Sequence, residues 1–153
     1  MRNIRGATRR FVLSSGAAAA FAAALAPRLA VADEKAVAEE MKKLFGDRKP
    51  GSGKVKIDVP QIAENGLVVP VSVDVESAMT DADFVKAVHI FAEGNPQVQT
   101  ATFYFTPACG KASASTRMRL AQTQNVIAVA EMSNGALFST KSEVKVTIGG
   151  CGG

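Results

Sequence analysis

The hydrophobic residues of this chain follow two different periods. In residues 33–45, Val37, Met41, Leu44 and Phe45 recur at the i, i+4, i+7 and i+8 spacing of one helix face, which predicts an amphipathic helix. Gly46 follows directly and is predicted to end that helix. From residue 54 onward, apolar and polar side chains alternate one by one, which predicts β-strands. The predicted strands cover residues 55–59, 69–75, 88–91, 98–105, 113–120, 126–132 and 141–148.

This succession of short strands predicts an all-β fold, an immunoglobulin-like antiparallel β-sandwich, with an N-terminal helix and a flexible C-terminal Gly-Gly-Cys-Gly-Gly arm. The chain has no tryptophan, so it lacks the Cys-Trp-Cys core of antibody domains. In the last strand, Val144, Val146 and Ile148 are expected to face inward, and the arm follows at once. The predicted organisation is an export signal (1–32), the helix and a linker (33–53), the sandwich (54–148) and the arm (149–153).

The first 32 residues are predicted to be an export signal rather than part of the fold. They contain five arginines, including the pair Arg9-Arg10, no acidic residue, and a small apolar run at 14–26. The sequence Ala-Val-Ala at 30–32 matches a cleavage site. Together these features predict export to the periplasm through the twin-arginine pathway. A membrane anchor, the alternative, needs an apolar span of about 20 residues, which is longer than this run.

Removal of this signal changes the charge of the working protein. The whole chain has 18 Lys and Arg against 14 Asp and Glu, a net charge of +4. Without the five arginines of the signal, 13 basic residues face 14 acidic ones, and the net charge becomes −1. We therefore expect no nucleic-acid partner and no membrane partner. The twin-arginine pathway exports folded cargo, and because no cofactor motif is present, a co-exported partner subunit best explains that route.

The main candidate for chemistry is Cys151, which stands alone among Gly149, Gly150, Gly152 and Gly153. Glycine has no side chain that could shield a neighbouring thiol and loses much backbone freedom on ordering, so this thiol is expected to be exposed and mobile. Five extended residues reach at most roughly 17 Å. No base or cation is adjacent in sequence, so activation of the thiol must come from a partner's pocket. The pattern predicts a covalent carrier and not an enzyme.

Four other residues are weighed as candidates. Cys109 is interpreted as a small, partly buried turn residue; alternatively it is a second thiol that pairs with Cys151 in a dithiol redox protein. His89 is the only histidine, too little for a metal site, and is interpreted as a structural strand residue. Arg117 and Arg119 lie on one predicted strand face. Their alternative roles are to bind an anion, to bind a carboxylate of a partner, or simply to form a solvated face of the strand. A third alternative is a structural immunoglobulin-like domain without thiol chemistry.

Three segments give the chain a resemblance to a known family. They are the twin-arginine leader, residues 111–135, and the sequence Val-Thr-Ile-Gly-Gly-Cys-Gly-Gly at 146–153. Through them the chain resembles the SoxY family, the sulfur-carrier subunits of the periplasmic thiosulfate-oxidising Sox system. The resemblance implies an immunoglobulin-like sandwich and a tight heterodimer with a SoxZ-like subunit, which is exported together with it.

The resemblance also implies a chemical role for Cys151 alone. A SoxXA-type cytochrome joins thiosulfate to the thiol, and a SoxB-type sulfate thiohydrolase then releases sulfate and leaves a persulfide. Where present, a sulfane dehydrogenase oxidises the remaining sulfur. For Cys109 the resemblance implies no role.

One face of the sandwich is expected to bind the partner subunit. The apolar candidates serve a core equally well, and the sequence does not separate the two roles. These candidates are Met41, Leu44, Phe45, Met118, Val126 and Ala128.

We predict that Gly150→Ala or Gly152→Ala slows turnover with little loss of fold stability, because a methyl group removes backbone states and adds bulk beside the thiol. The measurement is turnover in a reconstituted thiosulfate-oxidation assay, with thermal unfolding as the control. Unchanged turnover in both variants would contradict the arm hypothesis.

Overall fold

Two sheets, one α-helix and a short 3-10 helix are the regular elements of residues 34–148, the part of the chain that this computed structural model describes. The predicted export signal and the predicted arm lie outside the described residues. None of the helices in the described part has the length and hydrophobicity needed to cross a membrane. The elements in order are α1 (Glu34–Phe45), β1 (Val55–Asp58), β2 (Ile62–Ala63), β3 (Val69–Val75), β4 (Val85–Ala92), β5 (Gln99–Tyr104), a 3-10 helix (Pro107–Cys109), β6 (Ala112–Met118), β7 (Gln124–Met132) and β8 (Leu137–Val146).

The strands form a three-stranded sheet in the order β1-β3-β6 and a five-stranded sheet in the order β2-β8-β7-β4-β5. All neighbouring strands are antiparallel except β2 and β8, which pair in parallel over two residues. This arrangement confirms the predicted all-β sandwich with a leading helix. The short strand β2 was not predicted, since two residues are too few to display a period.

The core between the sheets is built from the inward residues of the alternating segments. In β3 every second residue, from Val69 to Val75, is at most 3% exposed, as the alternation predicts. On the facing sheet, Val126 and Ala128 of β7 are fully buried, and Met118 of β6 closes the same cluster. Met118, Val126 and Ala128 therefore belong to the core and are not available for a partner interface.

Helix α1 covers the opposite face of the five-stranded sheet. Its buried residues Val37 and Phe45 pack on Phe91 and Val129, which point away from the core between the sheets. The strands β4 and β7 are consequently buried on both faces. Leu44, which the periodicity places on the same helix face and for which the sequence left core and partner interface open, is 39% exposed. It therefore lies at the margin of the face that packs on the sheet.

The end of α1 is fixed to the turn between β7 and β8. Gly46 ends the helix in the left-handed conformation (φ 67°), and its N–H donates to the Lys42 carbonyl oxygen at 2.8 Å, as predicted for a glycine stop. Arg48 then donates from Nε to the carbonyl oxygen of Phe45 and from Nη1 to that of Gly135, 2.9 Å away. These bonds hold the helix over the sheet in one orientation.

A buried polar network joins the connection between the two sheets to the β4–β5 turn. The side chain of Asn95 donates to the carbonyl oxygen of Arg119 (2.8 Å) and accepts from the N–H of Ala121 (2.9 Å). Its Oδ1 also accepts from Nε2 of Gln124 (3.1 Å), whose own Oε1 accepts from the N–H of Gly94 (2.7 Å). Asn95 thereby satisfies the polar groups of the residues that lead from β6 to β7.

We expect Asn95→Ala to lower the free energy of unfolding by about 2–4 kcal/mol, because it leaves several partners without hydrogen bonds in a buried site. The control is Asn134→Ala, at an exposed turn where Oδ1 accepts only from the N–H of Ala136, with an expected loss of about 0.5–1 kcal/mol. Urea unfolding measures both. Equal losses would mean that the buried network adds no stability beyond a surface turn.

Candidate functional site

The strand that leads toward Cys151 ends earlier than predicted. β8 stops at Val146, whose N–H donates to the side-chain oxygen of Thr123 at 2.9 Å. At the next residue, the N–H of Thr147 donates to the carbonyl oxygen of Ala63 (3.1 Å), and its hydroxyl donates to that of Glu64 (2.9 Å). The residues before the predicted arm are therefore held by the segment that follows β2.

Gly66 connects this segment to both sheets. Its N–H donates to the carbonyl oxygen of Ile148 at 2.8 Å, and its own carbonyl oxygen accepts from the N–H of Leu120 at 2.7 Å. Ile148, at the end of the five-stranded sheet, is thus linked to the end of β6 in the three-stranded sheet. Cys151 follows Ile148 by three residues, so covalent geometry keeps its Cα within about 11 Å of the Ile148 Cα.

The prediction that Ile148 faces the core is wrong, because the alternation of β8 does not continue beyond the end of the strand. Ile148 is 68% exposed. Three more large apolar side chains on the segment that binds it are exposed: Ile62 (60%), Leu67 (47%) and Val68 (58%). We call these four residues the root patch: Ile62 pairs with β8 in the parallel ladder, and Leu67 and Val68 follow Gly66, which is bonded to Ile148. No sequence pattern indicated this patch, apart from the apolar pair Leu67-Val68 after the polar residues at 64–65.

Cys109 lies at the opposite end of the three-stranded sheet from the root patch. It ends the 3-10 helix three residues before β6 begins, whereas Leu120, which bonds to Gly66, follows the end of β6. The predicted turn is confirmed, but the expected partial burial is wrong. Cys109 is exposed, because Gly110, in the left-handed conformation (φ 68°), ends a single short turn that lies outside both sheets. Its Sγ is 3.8 Å from the hydroxyl oxygen of Thr106.

His89 is a buried residue of β4 beneath α1. Its Nδ1 lies 3.2 Å from the hydroxyl oxygen of Thr102, and the edge of the Phe45 ring packs against the imidazole with centroids 5.1 Å apart. Nε2 is buried without a hydrogen-bond partner among the described residues. Burial lowers the pKa of His89 below its ordinary value of 6.5, while the charge of Glu131 partly opposes this effect. The interpretation as a structural histidine is consistent with this placement.

The two arginines lie in different surroundings. Arg117 is exposed on β6 and lines a surface depression together with Ser72 and Ser115, whose hydroxyl groups are hydrogen-bonded at 2.8 Å. Arg119 is exposed beyond the end of β6 and lines another depression with Pro96. They therefore do not combine into one anion site. Within residues 34–148, no three His, Cys, Asp or Glu side chains are grouped as metal ligands.

Comparison with known proteins gives a sequence match over most of the chain. The SoxY family model, described as sulfur oxidation protein SoxY, matches residues 41–151. That range includes the root patch and extends to Cys151. Among curated proteins, none matches this chain.

Solved structures give the same fold. The sulfur carrier protein SoxY from Chlorobium limicola f thiosulfatophilum is 32% identical with a TM-score of 0.62, and the match covers 73% of this chain and 96% of that protein. A superoxide reductase (neelaredoxin) from Ignicoccus hospitalis is 19% identical with a TM-score of 0.54, covering 61% and 80% of the two chains. A putative superoxide reductase from Thermotoga maritima is 15% identical with a TM-score of 0.53, covering 63% and 93%. At these lower identities the likeness concerns the fold alone.

The buried imidazole of His89 makes a pH prediction. The pKa of His89 is lower in the folded chain than in the unfolded one. Below about pH 6.5 the native state therefore binds fewer protons than the unfolded state does. We expect the free energy of unfolding to decrease in that range, by at most about 1.4 kcal/mol per pH unit.

Urea unfolding between pH 5 and pH 7.5, compared with His89→Gln, measures this contribution separately from that of the carboxylates. The variant should show a flatter dependence, since His89 is the only histidine of the chain. If the free energy of unfolding of the wild type and of His89→Gln changed with pH in parallel, His89 would be excluded as the source of the pH dependence.

Proposed function

Because the chain belongs to the SoxY family of sulfur oxidation proteins, we propose that it carries sulfur covalently on the thiol of Cys151 during thiosulfate oxidation. The observation that carries this proposal is the geometry around Ile148. The carbonyl oxygen of Ile148 accepts from the N–H of Gly66, and Thr147 before it is bonded to Ala63 and Glu64. Cys151 follows within about 11 Å of the Ile148 Cα. A fixed base with a thiol three residues further along is suited to delivering the thiol to the active site of another protein.

The proposed loading step joins the Cys151 sulfur to thiosulfate. A sulfur–sulfur bond forms between the thiolate and the outer sulfur of thiosulfate, and two electrons pass to a SoxXA-type cytochrome. The product is a cysteine S-thiosulfonate. The thiol proton leaves to solvent, because the thiolate is the form that reacts.

The proposed unloading step is hydrolytic. A SoxB-type sulfate thiohydrolase adds water to the terminal sulfonate, which leaves as sulfate with release of a proton, and a persulfide remains on Cys151. A sulfane dehydrogenase then removes six electrons from the outer sulfur of this persulfide, three waters supply its oxygens and release their protons, and a cysteine S-sulfonate results. The thiohydrolase adds one more water and releases that group as sulfate. The carrier returns to the free thiol.

We assign the catalysis to the partners and no enzymatic role to this chain. Cys151 has only glycines beside it, so no neighbouring side chain in sequence can act as the base that takes its proton. The absence of side chains at Gly149, Gly150, Gly152 and Gly153 favours entry into narrow active sites.

The proposed setting is the periplasm. The arginine pair and cleavage motif of residues 1–32 favour export through the twin-arginine pathway, followed by cleavage after residue 32. A SoxZ-like subunit is the proposed stable partner, exported in the same complex. The oxidising and hydrolytic proteins are transient partners.

The positions of the cysteines favour a carrier with one working thiol over a dithiol redox protein. β6 separates Cys109 from the residues that bind Ile148, and a seven-residue strand spans about 20 Å. A disulfide brings its two Cα atoms within about 7 Å of each other. With Cys151 restricted to about 11 Å from Ile148, an intramolecular bond to Cys109 is geometrically unfavourable.

We expect Cys151→Ser to abolish turnover in the reconstituted pathway and Cys109→Ser to leave it unchanged, because only the first variant removes the carrier sulfur. Intact-mass spectrometry before and after a reductant should show thiosulfonate or persulfide adducts on the wild type and on Cys109→Ser. No adducts should form on Cys151→Ser.

Loss of activity in Cys109→Ser, with an oxidised mass two hydrogens low in the wild type, would support the dithiol alternative. Full activity of Cys151→Ser would support a structural role.

A further inference from the structure

We propose that helix α1 is a pH-sensitive cover of the five-stranded sheet: protonation of His89 releases the helix and exposes the apolar side chains beneath it, among them Phe91 and Val129. The rest of the sandwich stays folded, and the released helix remains attached to it through the segment that follows Gly46. The inference goes beyond the proposed carrier function, because none of the groups involved belongs to the last strand or to the residues around Cys151.

The first argument is the hydrogen bonding of the imidazole. Nδ1 of His89 lies 3.2 Å from the hydroxyl oxygen of Thr102 and 3.5 Å from Nε2 of the Gln99 amide, whereas Nε2 of His89 is buried without a partner among the described residues. A neutral imidazole has one N–H group, and a protonated one has two. Thr102 can accept from Nδ1, but the described residues offer no acceptor to Nε2. Protonation therefore creates a buried charged donor that is unpaired, which is costly.

The second argument is that the groups packed around the ring do not compensate a positive charge. From α1, the edge of the Phe45 ring packs against the imidazole with centroids 5.1 Å apart. Phe91 of the same strand stacks with it at 6.5 Å. From β5, the groups that face it are the uncharged side chains of Gln99 and Thr102.

Among the described residues, Glu131 of β7 is the carboxylate that acts on His89, and it favours the protonated ring. Its Oε1 is already 3.4 Å from Nη1 of Arg48 and 3.9 Å from Nζ of Lys86, so two cations share it. Burial of the ring outweighs the attraction of Glu131 and lowers the pKa of His89 below 6.5. Departure of the cover, which lets water reach Nε2, removes this penalty.

The third argument is that the helix is the part of the surroundings that can separate most easily. β4 lies between β7 and β5, and β7 lies between β8 and β4, so ladders on both sides hold the strands next to His89. Helix α1 has 12 residues, a length at which an isolated helix is marginal in water. Val37 and Phe45 are its buried residues, and Arg48 fastens its end to Gly135. Release of the helix breaks no pair of strands.

The proposed carrier reactions supply the protons to which this cover responds. Loading of the thiol, oxidation of the persulfide and hydrolysis each release protons in the compartment where the chain would work. Acidification is thus a product of the pathway, and the exposed fraction of the sheet face would rise with it. This link to the pathway rests on the proposed function, whereas the release of the helix does not.

Native-state hydrogen exchange tests the release, on the protein purified from the periplasm with any subunit that accompanies it. The measured quantity is the opening constant of the α1 amides, the observed exchange rate divided by the intrinsic rate at the same pH. In the opened state His89 has its ordinary pKa of 6.5 and gains a proton between pH 7.5 and pH 5.5, which the closed state resists. We expect the opening constant to rise by about threefold to tenfold over this range.

The opening should also be local. The opening constant of the α1 amides should exceed that of the β7 amides at least about tenfold and should depend less on urea, because less surface is exposed than in global unfolding. His89→Gln should remove the pH dependence of the α1 amides. The matched control is Arg48→Gln, which loosens the helix end at every pH and should raise the opening constant without changing its ratio between the two pH values.

A second measurement needs no variant. Because His89 is the only histidine of the chain, the NMR signals of its ring identify themselves, and they should titrate below pH 6.5. Equal opening constants for α1 and β7 would mean that the helix leaves only when the whole fold unfolds. An equal pH response in His89→Gln, or a ring titration at or above pH 6.5, would reject His89 as the trigger. Each of these results overturns the proposal and leaves the carrier function untouched, which fails separately if Cys151 never acquires an adduct.

Discussion

Burial of valine side chains between the two sheets is the interaction on which the rest of the structure depends. The inward valines of β3 and the inward residues of β7 belong to the same buried cluster, and both strands are central in their sheets. Burial of each such side chain is worth about 1.5–3 kcal/mol relative to exposure. Because this core fixes one sheet against the other, the end of β6 and the end of β8 lie close enough for Gly66 to bond to Leu120 and to Ile148.

The base of the proposed carrier segment is therefore a product of tertiary structure and not of the strand that precedes it. β8 by itself would leave Thr147 and Ile148 with unsatisfied backbone groups once its ladder with β7 has ended at Val144. The parallel segment at 62–66 provides their partners. The side chain of Ile148 is exposed although its carbonyl oxygen is bonded to this segment.

The sequence predicted those parts of the fold that have a period, and the chemistry that depends on residue type. The alternation through Val69–Val75 and the stop at Gly46 predicted their structures correctly, and Cys151 could be singled out from composition alone. The strand Ile62–Ala63 has too few residues for a period, and extrapolating the alternation to Ile148 ignored the end of the ladder. Whether Met118 and Val126 formed core or interface depended on how the sheets pack, which no local pattern encodes.

The free edge of the five-stranded sheet has a consequence for assembly. Within the described residues, β5 pairs only with β4, so its outer backbone groups are open to another chain, while β2 occupies the opposite edge. Four strand spacings separate these edges, about 19 Å. A subunit that extends the sheet at β5 would lie on the far side from Ile148, so one molecule could hold a permanent companion and still present its thiol to visiting enzymes.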